Sequence, residues 1–300
     1  MPIFGSLPMK WFASMHGTRE MECRITVLCE NTVQGMGLLG EHGFSAFVEL
    51  PGENILFDTG QGMSLIPNSL RLQKDLRSVS KLVLSHGHLD HVGGLMAFLE
   101  LKGGCPVVAH PDIFTERFWL LSMPSGDEKS LSVGVPWTQT YLTTRGAQFE
   151  WVRDFVEIAP NVFLTGEVPR KTLFELGSPK FAVLGDAGWM QDPLLDDFSM
   201  VLKTSQGLVI VLGCAHSGVV NIINHAVDRT GENRIHAVIG GTHLGLSPEP
   251  QLDPTIRALK EFDIRILAAS HCTGQAPVAR LAAEFGERFA FGRVGFTLEV

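Results

Sequence analysis

The hexapeptide His-Gly-His-Leu-Asp-His, at residues 86–91, constrains this chain more than any other segment. It places four side chains that bind metal ions directly after an apolar run that is predicted to be a buried strand. In an extended or loop conformation, His86 and His88 point the same way, whereas Asp90 and His91 turn towards a second centre. Imidazole nitrogen combined with carboxylate oxygen favours zinc, iron or manganese over calcium or magnesium. The alternative is a polar turn whose histidines face solvent.

Other apolar segments, each predicted to be a strand, also end next to a histidine or an aspartate. The residues at these ends are Asp58, His216, His243 and His271. When several strands of a sheet-rich protein end in such residues, their side chains can meet at one edge and form a polynuclear metal site. This repetition argues against the solvent-exposed alternative, so we predict a metal centre.

The order of these residues resembles that of the metallo-β-lactamase superfamily. The set consists of Asp58, the His86-x-His88-x-Asp90-His91 motif, His216 and His271. The similarity is closer to one branch, the enzymes named 7,8-dihydropterin-6-yl-methyl-4-(β-D-ribofuranosyl)aminobenzene 5′-phosphate synthase. The segments that carry it are residues 41–45, 56–60, 84–88, 165–170, 213–216, 240–244 and 271–274. The resemblance implies a mixed α/β (α+β) fold, a four-layer αββα sandwich with the metals at one edge between the two sheets.

The same resemblance implies which residues bind each ion. The first metal would be held by His86, His88 and His216, and the second by Asp90, His91 and His271. Superfamily members usually place a bridging aspartate on the strand before the last of these motifs, where this chain has Thr242-His243. Three interpretations remain open: His243 ligates or approaches the second metal, the two sites are unequally occupied, or His243 only lines the pocket. We expect two divalent ions, with zinc first and manganese or iron as alternatives.

Further residues are candidates for roles around the metals. Asp58 is predicted to accept a ring N–H from a ligand histidine, although it could instead cap its own turn. His42 is expected to line the pocket. Arg170 and the helix N-terminus at Ser217 are candidate receptors for an anionic group of the substrate. Asp90 would accept a hydrogen bond from a metal-bound hydroxide while binding metal, so no separate general base is needed.

Two other pairs have ordinary structural interpretations. Cys214 and Cys272 flank histidines of the ligand set, but imidazoles already fill the expected ligand positions and small buried cysteines beside strands are common. We therefore do not expect either cysteine to bind metal. Asp196-Asp197 matches an acidic pair of the related enzymes, but a solvated turn would have the same sequence.

Length and pattern indicate how the chain is organised. Residues 23–300 are predicted to form one metallo-β-lactamase-fold domain, preceded by an N-terminal extension over residues 1–22. Residues 123–150 are rich in serine, glycine and threonine and are predicted to be irregular, as a surface excursion or a lid over the site. The predicted strands cover residues 23–29, 44–50, 54–57, 81–85, 106–109, 181–185, 199–204, 207–212, 235–239 and 264–269. The predicted helices cover residues 93–102, 112–121, 219–227 and 277–287.

The composition limits the classes of partner. The formal charge is −8, from 24 basic and 32 acidic residues without a long basic run, so nucleic acid is not an expected partner. No apolar stretch is long enough to span a bilayer, and no uninterrupted apolar core indicates a signal peptide. Five cysteines without paired spacing indicate a reducing compartment, and we therefore expect a cytoplasmic protein. A homodimer is one possible assembly.

Three functions are compatible with these features. The leading hypothesis is a dinuclear metal-dependent hydrolase, in which a metal-bound hydroxide attacks a small anionic ester or phosphoester. The alternative is a transferase like the named synthases, which would join a dihydropterin to an aminobenzene ribofuranoside phosphate. Such a synthase needs aromatic faces for the pterin, which could come from Trp119, Trp137 or Trp189. The third hypothesis is a redox or non-catalytic member of the fold.

Overall fold

The computed structural model describes residues 22–123 and 128–300 of the chain. Its main feature is a pair of seven-stranded sheets that face each other across a shared core and carry helices on their outer sides. The predicted four-layer αββα sandwich is therefore confirmed. Of the N-terminal extension predicted over residues 1–22, only Glu22 is among the described residues, and its N–H donates to the Val300 carbonyl at 2.7 Å.

The first seven-stranded sheet is built mainly from the N-terminal half of the chain. Its strands, in spatial order, are Thr297–Glu299, Arg24–Cys29, Ser45–Leu50, Glu53–Phe57, Val79–Val83, Cys105–Ala109 and Ala147–Trp151. The strands Glu53–Phe57, Val79–Val83 and Cys105–Ala109 run parallel to one another. Parallel strands present their carboxyl ends at the same edge, so the residues that follow Phe57 and Val83 come close together.

The second seven-stranded sheet comes from the C-terminal half. Its strands, in spatial order, are Phe289–Phe291, Ile266–Ser270, Ile235–Gly241, Gly207–Leu212, Ser199–Thr204, Val162–Leu164 and Val156–Ala159. The strands Gly207–Leu212, Ile235–Gly241 and Ile266–Ser270 are parallel. All six residues of Gly207–Leu212 are buried, as expected for a central strand that is covered on both faces.

One apolar core joins the two sheets. It contains Val27 and Phe57 from the first sheet and Val211 and Ile239 from the second. Because side chains alternate along a strand, the opposite faces of both sheets are also apolar and are covered by helices. The covering helices are Val219–Thr230, Leu252–Glu261 and Gln275–Phe285 on the second sheet, and Leu65–Arg71, Leu95–Lys102 and Gln139–Thr144 on the first.

The helices in the described part of the chain are short. The longest of them, Val219–Thr230, has 12 residues. Its buried side chains include Val219, Ile222, Ile223 and Ala226, the spacing of one helix face, and this face packs on the second sheet. None of the described helices combines the length and apolar character that crossing a bilayer requires.

A third, four-stranded sheet corrects one of the predicted helices. Its strands, in spatial order, are Gly188–Gln191, Phe181–Gly185, Phe118–Ser122 and Glu128–Ser132. The sequence predicts a helix over residues 112–121, but the structure has a short 3₁₀ helix at Pro111–Phe114 and then a strand. The run Phe-Trp-Leu-Leu favours the strand because its side chains pack across the sheet, as Trp119 does against Phe181 at 5.1 Å between ring centroids.

Residues 123–150 also differ from the predicted irregular conformation. They contain the strand Glu128–Ser132, the helix Gln139–Thr144 and the start of the strand Ala147–Trp151, while residues 124–127 lie outside the described residues. Ala147–Trp151 extends the first sheet by pairing with Cys105–Ala109. This pairing joins segments about forty residues apart, which local composition does not reveal. A role for this segment as a lid stays a prediction.

Candidate metal centre

Histidine and aspartate side chains meet at one edge of the sandwich, a few residues after the ends of five strands. They are Asp58, His86, His216, His243 and His271, which follow the strands that end at Phe57, Val83, Leu212, Gly241 and Ser270. Both sheets contribute parallel strands to this edge, so the carboxyl ends of the strands bring the residues together. All five side chains are buried.

The first donor group consists of His86, His88 and His216. His86 Nε2 lies 3.0 Å from His88 Nδ1 and 3.2 Å from His216 Nε2. Two nitrogens bound to one zinc ion at 2.0–2.1 Å lie roughly 3.0–3.4 Å apart for bond angles of about 95–110°. Three imidazole nitrogens therefore converge at the spacing that a shared metal ion requires.

The second donor group consists of Asp90, His91 and His271, with Cys214 and His42 beside it. His91 Nε2 is 3.2 Å from His271 Nε2, which is 3.3 Å from Asp90 Oδ2. Cys214 Sγ is 3.1 Å from His91 Nε2, and His42 Nε2 is 3.1 Å from Asp90 Oδ2. Asp90 and His91 therefore each lie beside His271, but among the described residues the three do not form one set of close donor atoms: His91 groups with His86 and Cys214, and Asp90 groups with His42 and His271.

A buried chain of hydrogen bonds fixes the rings of His91 and His86. Asp58 Oδ2 accepts a hydrogen bond from His91 Nδ1 at 2.7 Å and another from the Ser85 hydroxyl at 2.6 Å. Because the Ser85 hydroxyl gives its proton to Asp58, it accepts a hydrogen bond from His86 Nδ1 at 2.9 Å. Both rings therefore carry their proton on Nδ1 and turn the Nε2 lone pair towards the donor groups. Asp58 makes the contact that was predicted for it.

His271 is oriented by two residues that have no predicted role. Asn31 Oδ1 accepts a hydrogen bond from His271 Nδ1 at 2.9 Å, and Glu30 Oε1 accepts one from the His271 main-chain N–H at 2.6 Å. Asn31 Nδ2 also donates to His42 Nδ1 at 3.3 Å, so His42 carries its proton on Nε2. Glu30 and Asn31 directly follow the first strand of the chain, Arg24–Cys29. A polar residue just after an apolar strand is also the pattern that identifies Asp58, His86, His216 and His271, so it could have identified these two residues.

Burial and hydrogen bonding set the protonation states of both groups. Desolvation lowers the pKa of His86, His88 and His216 well below the ordinary imidazole value, and neighbouring imidazoles add to this effect. Burial alone would raise the pKa of Asp90, but its contacts with His271 and His42 bring it well below the usual aspartate value. Neutral imidazoles and an ionised carboxylate are the forms that bind metal ions.

Glycine at position 87 allows the loop between His86 and His88 to fit. A Cβ at this position would overlap the carbonyl oxygen of Ile113 and lie 2.5 Å from Arg117 Nη1. The Gly87 N–H donates to Asp196 Oδ2 at 2.8 Å, and Asp196 Oδ1 accepts a hydrogen bond from Arg117 Nη2 at 2.8 Å. Buried Arg117 thus holds the loop that carries two of the histidines.

Asp196 and Asp197 are buried rather than part of a solvated turn. Burial raises the pKa of Asp196 to about 7 and also raises the pKa of Asp197. The hydrogen bonds that both carboxylates accept act in the opposite direction and lower these pKa values, but burial has the larger effect. Asp197 Oδ2 accepts a hydrogen bond from the Ser217 N–H at 2.8 Å, next to His216. The solvated-turn interpretation is therefore wrong, because each carboxylate supports one of the loops of the first donor group.

The helix N-terminus after His216 already holds a carboxylate of the protein. Glu175 accepts hydrogen bonds from the N–H groups of Val220 and Asn221, both at 2.9 Å. With the Ser217 N–H bound to Asp197, the main-chain donors of Ser217, Val220 and Asn221 all bind carboxylates of the protein. A role for Ser217 in substrate binding stays a prediction.

Arg170 and His42 lie on the exposed rim of the centre. A Cβ on Gly177 would lie 3.5 Å from Arg170 Nη1 and 3.9 Å from the His216 carbonyl oxygen, so Gly177 is next to both the guanidinium and the His216 loop. The His42 side chain is 62% exposed, and its hydrogen bond to Asp90 raises its pKa. Both residues are therefore placed where a substrate can reach them.

His243 and Phe181 line the pocket beside the first donor group. The His243 ring lies 4.2 Å from that of His216 between centroids, and His243 joins no set of three close donor atoms among the described residues. Burial lowers its pKa to about 4. Phe181, from the four-stranded sheet, stacks on His88 at 4.6 Å between centroids. This geometry matches the interpretation in which His243 only lines the pocket.

Comparisons with known proteins agree with this geometry. The family model of the metallo-β-lactamase superfamily matches residues 39–271, a range that contains both donor groups. A curated relative from Methanocaldococcus jannaschii, 7,8-dihydropterin-6-methyl-4-(β-D-ribofuranosyl)-aminobenzene-5′-phosphate synthase, is 29% identical over 262 residues. This match covers 83% of the present chain and 86% of the relative.

Solved structures share the fold. The crystal structure of Tm1679, described as a metal-dependent hydrolase of the β-lactamase superfamily, is 28% identical with a TM-score of 0.77, covering 93% of this chain and 99% of that one. Zn²⁺-bound PqqB from Methylobacterium extorquens is 14% identical with a TM-score of 0.51, covering 92% of this chain and 100% of that one, which supports the fold alone. Because the family model spans most of the residues and the fold agrees, this chain belongs to the metallo-β-lactamase superfamily.

Proposed function

We propose that this protein is a dinuclear metal-dependent hydrolase that acts on a small anionic ester or phosphoester. The observation that carries the proposal is the pair of adjacent donor groups, whose neighbouring donor atoms lie 3.0–3.3 Å apart. The likeness to a solved protein described as a metal-dependent hydrolase, at 28% identity over most of both chains, also supports it.

In this proposal each donor group holds one divalent ion. The first ion is held by His86, His88 and His216, and the second by Asp90, His91 and His271. Zinc suits nitrogen donors with one carboxylate, and manganese and iron are the alternatives. His243 lines the pocket without binding an ion, so the missing bridging aspartate is not replaced by this residue.

The ions would supply Lewis acidity, which polarises a carbonyl or phosphoryl oxygen and lowers the pKa of a water molecule. The residues of the chain position the reactants around them. Asp90 stays ionised because its pKa is held well below the usual range, so it can accept a hydrogen bond from the attacking water. His42 and His271 fix the position of this carboxylate through contacts of 3.1 and 3.3 Å to Oδ2.

Arg170 and His42 would bind the anionic part of the substrate. Arg170 is exposed beside the His216 loop, and a guanidinium is suited to phosphate or carboxylate oxygens. The raised pKa of His42 favours its charged form at higher pH than for an ordinary histidine, which adds to the attraction. Phe181 offers an aromatic face beside His88 for an apolar part of the substrate.

A synthase is the second candidate function. It is favoured by the curated synthase relative at 29% identity and by the aromatic residues of the four-stranded sheet. Trp119 contacts Phe181 and Trp189 contacts Phe118, each at 5.1 Å between ring centroids. Two of the three tryptophans considered for a pterin therefore lie on the sheet that contacts the first donor group, whereas Trp137 packs against the core under the first sheet.

Metal analysis and a substrate panel test the proposal. The protein is purified without chelator or affinity metal, and its metal content is measured by elemental analysis. About two zinc or manganese ions per chain, with turnover of phosphoesters or lactones, would support the hydrolase. Condensation of a dihydropterin with an aminobenzene ribofuranoside phosphate would support the synthase instead, and two irons would favour the redox alternative. One ion or none, without turnover of either kind, would contradict the proposal.

We also propose a cytoplasmic location, because all five cysteines are free thiols, which suits a reducing compartment. Cell fractionation with antibody detection would test it. A homodimer and the absence of nucleic acid from the partners stay predictions, which light scattering and a binding assay with a labelled duplex would address.

A further inference from the structure

Cys214 lies where the two donor groups meet. Its buried Sγ atom is 3.1 Å from His91 Nε2. The sulfur, a ring nitrogen of His86 and a ring nitrogen of His91 all lie within 4.8 Å of one another. The same sulfur also forms a set with His271 and Cys272, again within 4.8 Å. Cys214 is therefore close to ligands of both proposed ions at once.

The backbone fixes the position of this sulfur. Cys214 is separated from the strand Gly207–Leu212 by Gly213, where a Cβ would overlap Ser85 Oγ and lie 3.5 Å from Asp58 Oδ2. The following residue, Ala215, has a left-handed φ of 55°. Close packing on one side and a sharp turn on the other hold Cys214 against the hydrogen-bond chain that orients the histidines.

The centre lacks the carboxylate that superfamily members usually place between their two ions. That strand end carries Thr242-His243, and among the described residues Asp90 is the one carboxylate in the sets of close donor atoms. A thiolate can take its place, since sulfur binds zinc at about 2.3 Å. With that bond length, a nitrogen and a sulfur on one zinc ion lie roughly 3.1–3.6 Å apart for bond angles of about 90–110°. The observed separation from His91 lies at the lower end of this range, at 3.1 Å.

We propose that Cys214 provides a thiolate ligand shared by the two ions, in place of the usual bridging carboxylate. This inference rests on the proposed dinuclear centre and adds a ligand to it. When the ions bind, the thiol S–H bond breaks, its proton leaves to solvent and the sulfur bonds to metal, so no oxidant or reductant is needed. A shared sulfur also favours zinc or iron over manganese, because thiolate is a soft ligand.

Cys272 provides a matched control. Its sulfur donates to the Cys214 carbonyl oxygen at 3.6 Å, and it stands outside the set that contains His86 and His91. We expect Cys272 to support the position of Cys214 without binding an ion. Replacing each cysteine in turn therefore separates a ligand from a neighbour of the same chemistry.

Cobalt substitution tests the proposal. The full-length protein is stripped with chelator and reloaded with Co²⁺, and the bound cobalt and the near-ultraviolet spectrum are measured. A cobalt–thiolate bond gives an intense charge-transfer band, which imidazole and carboxylate ligands do not give. We expect the band in the wild type and in Cys272→Ser, and its loss in Cys214→Ser. Bound cobalt should fall in Cys214→Ser from about two ions per chain to about one.

A second variant separates the loss of a ligand from misfolding. Cys214→Asp supplies an oxygen donor and should bind about two cobalt ions without the band, with the circular dichroism of the wild type. A band that survives in Cys214→Ser, or that disappears only in Cys272→Ser, would overturn the assignment and leave the dinuclear centre intact. A wild type that does not bind two ions would instead contradict the proposed function, and this inference with it.

Discussion

The two donor groups differ in charge and in exposure. The first consists of three buried imidazoles whose pKa values are lowered by desolvation, so it brings no charge of its own. The second contains the ionised Asp90 and is bordered by His42, whose side chain is 62% exposed. Two donor groups built from neighbouring strand ends thus differ in their chemistry.

This difference suggests a division of labour between the ions. In the proposed centre a shared Cys214 thiolate would lower the charge on both ions, but Asp90 would bind only the second, so the first would be the stronger Lewis acid of the two. Asp90 would reduce the charge on the second ion, and His42 is placed where it would meet water and substrate on that side. We therefore expect the first group to determine whether the protein is active, and the second to adjust how it handles its substrate.

Breaking the first group should have the largest effect. His88→Ala removes one of three nitrogen donors and should reduce hydrolysis to the background rate and bound metal by about one ion per chain, while the fold survives. Elemental analysis, turnover assays and circular dichroism measure these effects. His236→Ala, a histidine on a strand outside both groups, is the control and should behave as the wild type. Wild-type turnover in His88→Ala would remove the basis of the assignment.

Buried imidazoles that stay neutral in the folded protein should make its free energy of unfolding depend on pH. This dependence is measured on the chelator-stripped protein. The pKa of His243 is about 6.5 in the unfolded chain and about 4 when folded, because burial disfavours its charged form. Between these values the unfolded chain binds more protons, so the free energy of unfolding falls as the pH is lowered. From about pH 7 to about pH 4 this single group should cost about 3 kcal/mol.

His243→Gln isolates this contribution, because glutamine does not titrate. Urea unfolding of both proteins at several pH values gives the difference between their free energies of unfolding. This difference should change by about 3 kcal/mol across the range, in the direction that favours the variant at low pH. A difference that stays constant with pH would mean that His243 is not held neutral.

Asp58→Asn should weaken the second site more than the first. Burial alone would lower the pKa of His91, but the Asp58 carboxylate raises it and fixes the ring proton on Nδ1. An amide at position 58 removes the charge and loosens the ring, which should reduce affinity for the second ion by about 10–100-fold. Competition with a coloured chelator measures both affinities. An equal loss of affinity for both ions would show that Asp58 supports both donor groups rather than His91 alone.

His42→Gln should have the smallest effect. The contact between His42 and Asp90 is 3.1 Å long, and the His42 side chain is 62% exposed while that of Asp90 is 19% exposed. Water reaches the pair from the His42 side, so we take the contribution of an exposed pair, about 0.2–1 kcal/mol. We expect KM to rise by a factor of about five at most, with kcat nearly unchanged, because the residue is proposed to bind substrate on the rim rather than to take part in the reaction. Steady-state kinetics measures both constants. A large fall in kcat would instead place His42 among the groups that take part in the chemical step.

The main features of the fold and site could be predicted because they are local in sequence. An apolar strand followed by His86, His216 or Asp58 identifies both the strand and the edge at which it ends. The spacing within residues 86–91 also predicts the separation of His86 and His88 from Asp90 and His91, and the structure places this change where extended chain at His88 passes into the short helix Leu89–Val92. These signals need no knowledge of which strands are neighbours.

The remaining features depend on contacts between distant segments. Phe181 stacks on His88, and Arg117 reaches Asp196, across gaps of about eighty residues or more. Nothing in the composition around Phe181 shows that its strand will cover a metal site. The sequence predicts a structural role for Cys214, because the nearby His216 fills the expected ligand position, and only the folded chain shows the sulfur beside His91.

The buried position of Arg117 limits how the substrate preference of this protein can evolve. This buried residue directly precedes the strand Phe118–Ser122 of the four-stranded sheet. Through Asp196 it is also joined by hydrogen bonds to the Gly87 N–H, so that sheet and the loop that carries His86 and His88 are expected to move together. Widening the pocket by moving the whole sheet would therefore disturb the metal. Substitutions that make room for a larger substrate should be tolerated better at Leu184 and Trp189. These two side chains are exposed on the strands of the four-stranded sheet that lie farther from Arg117.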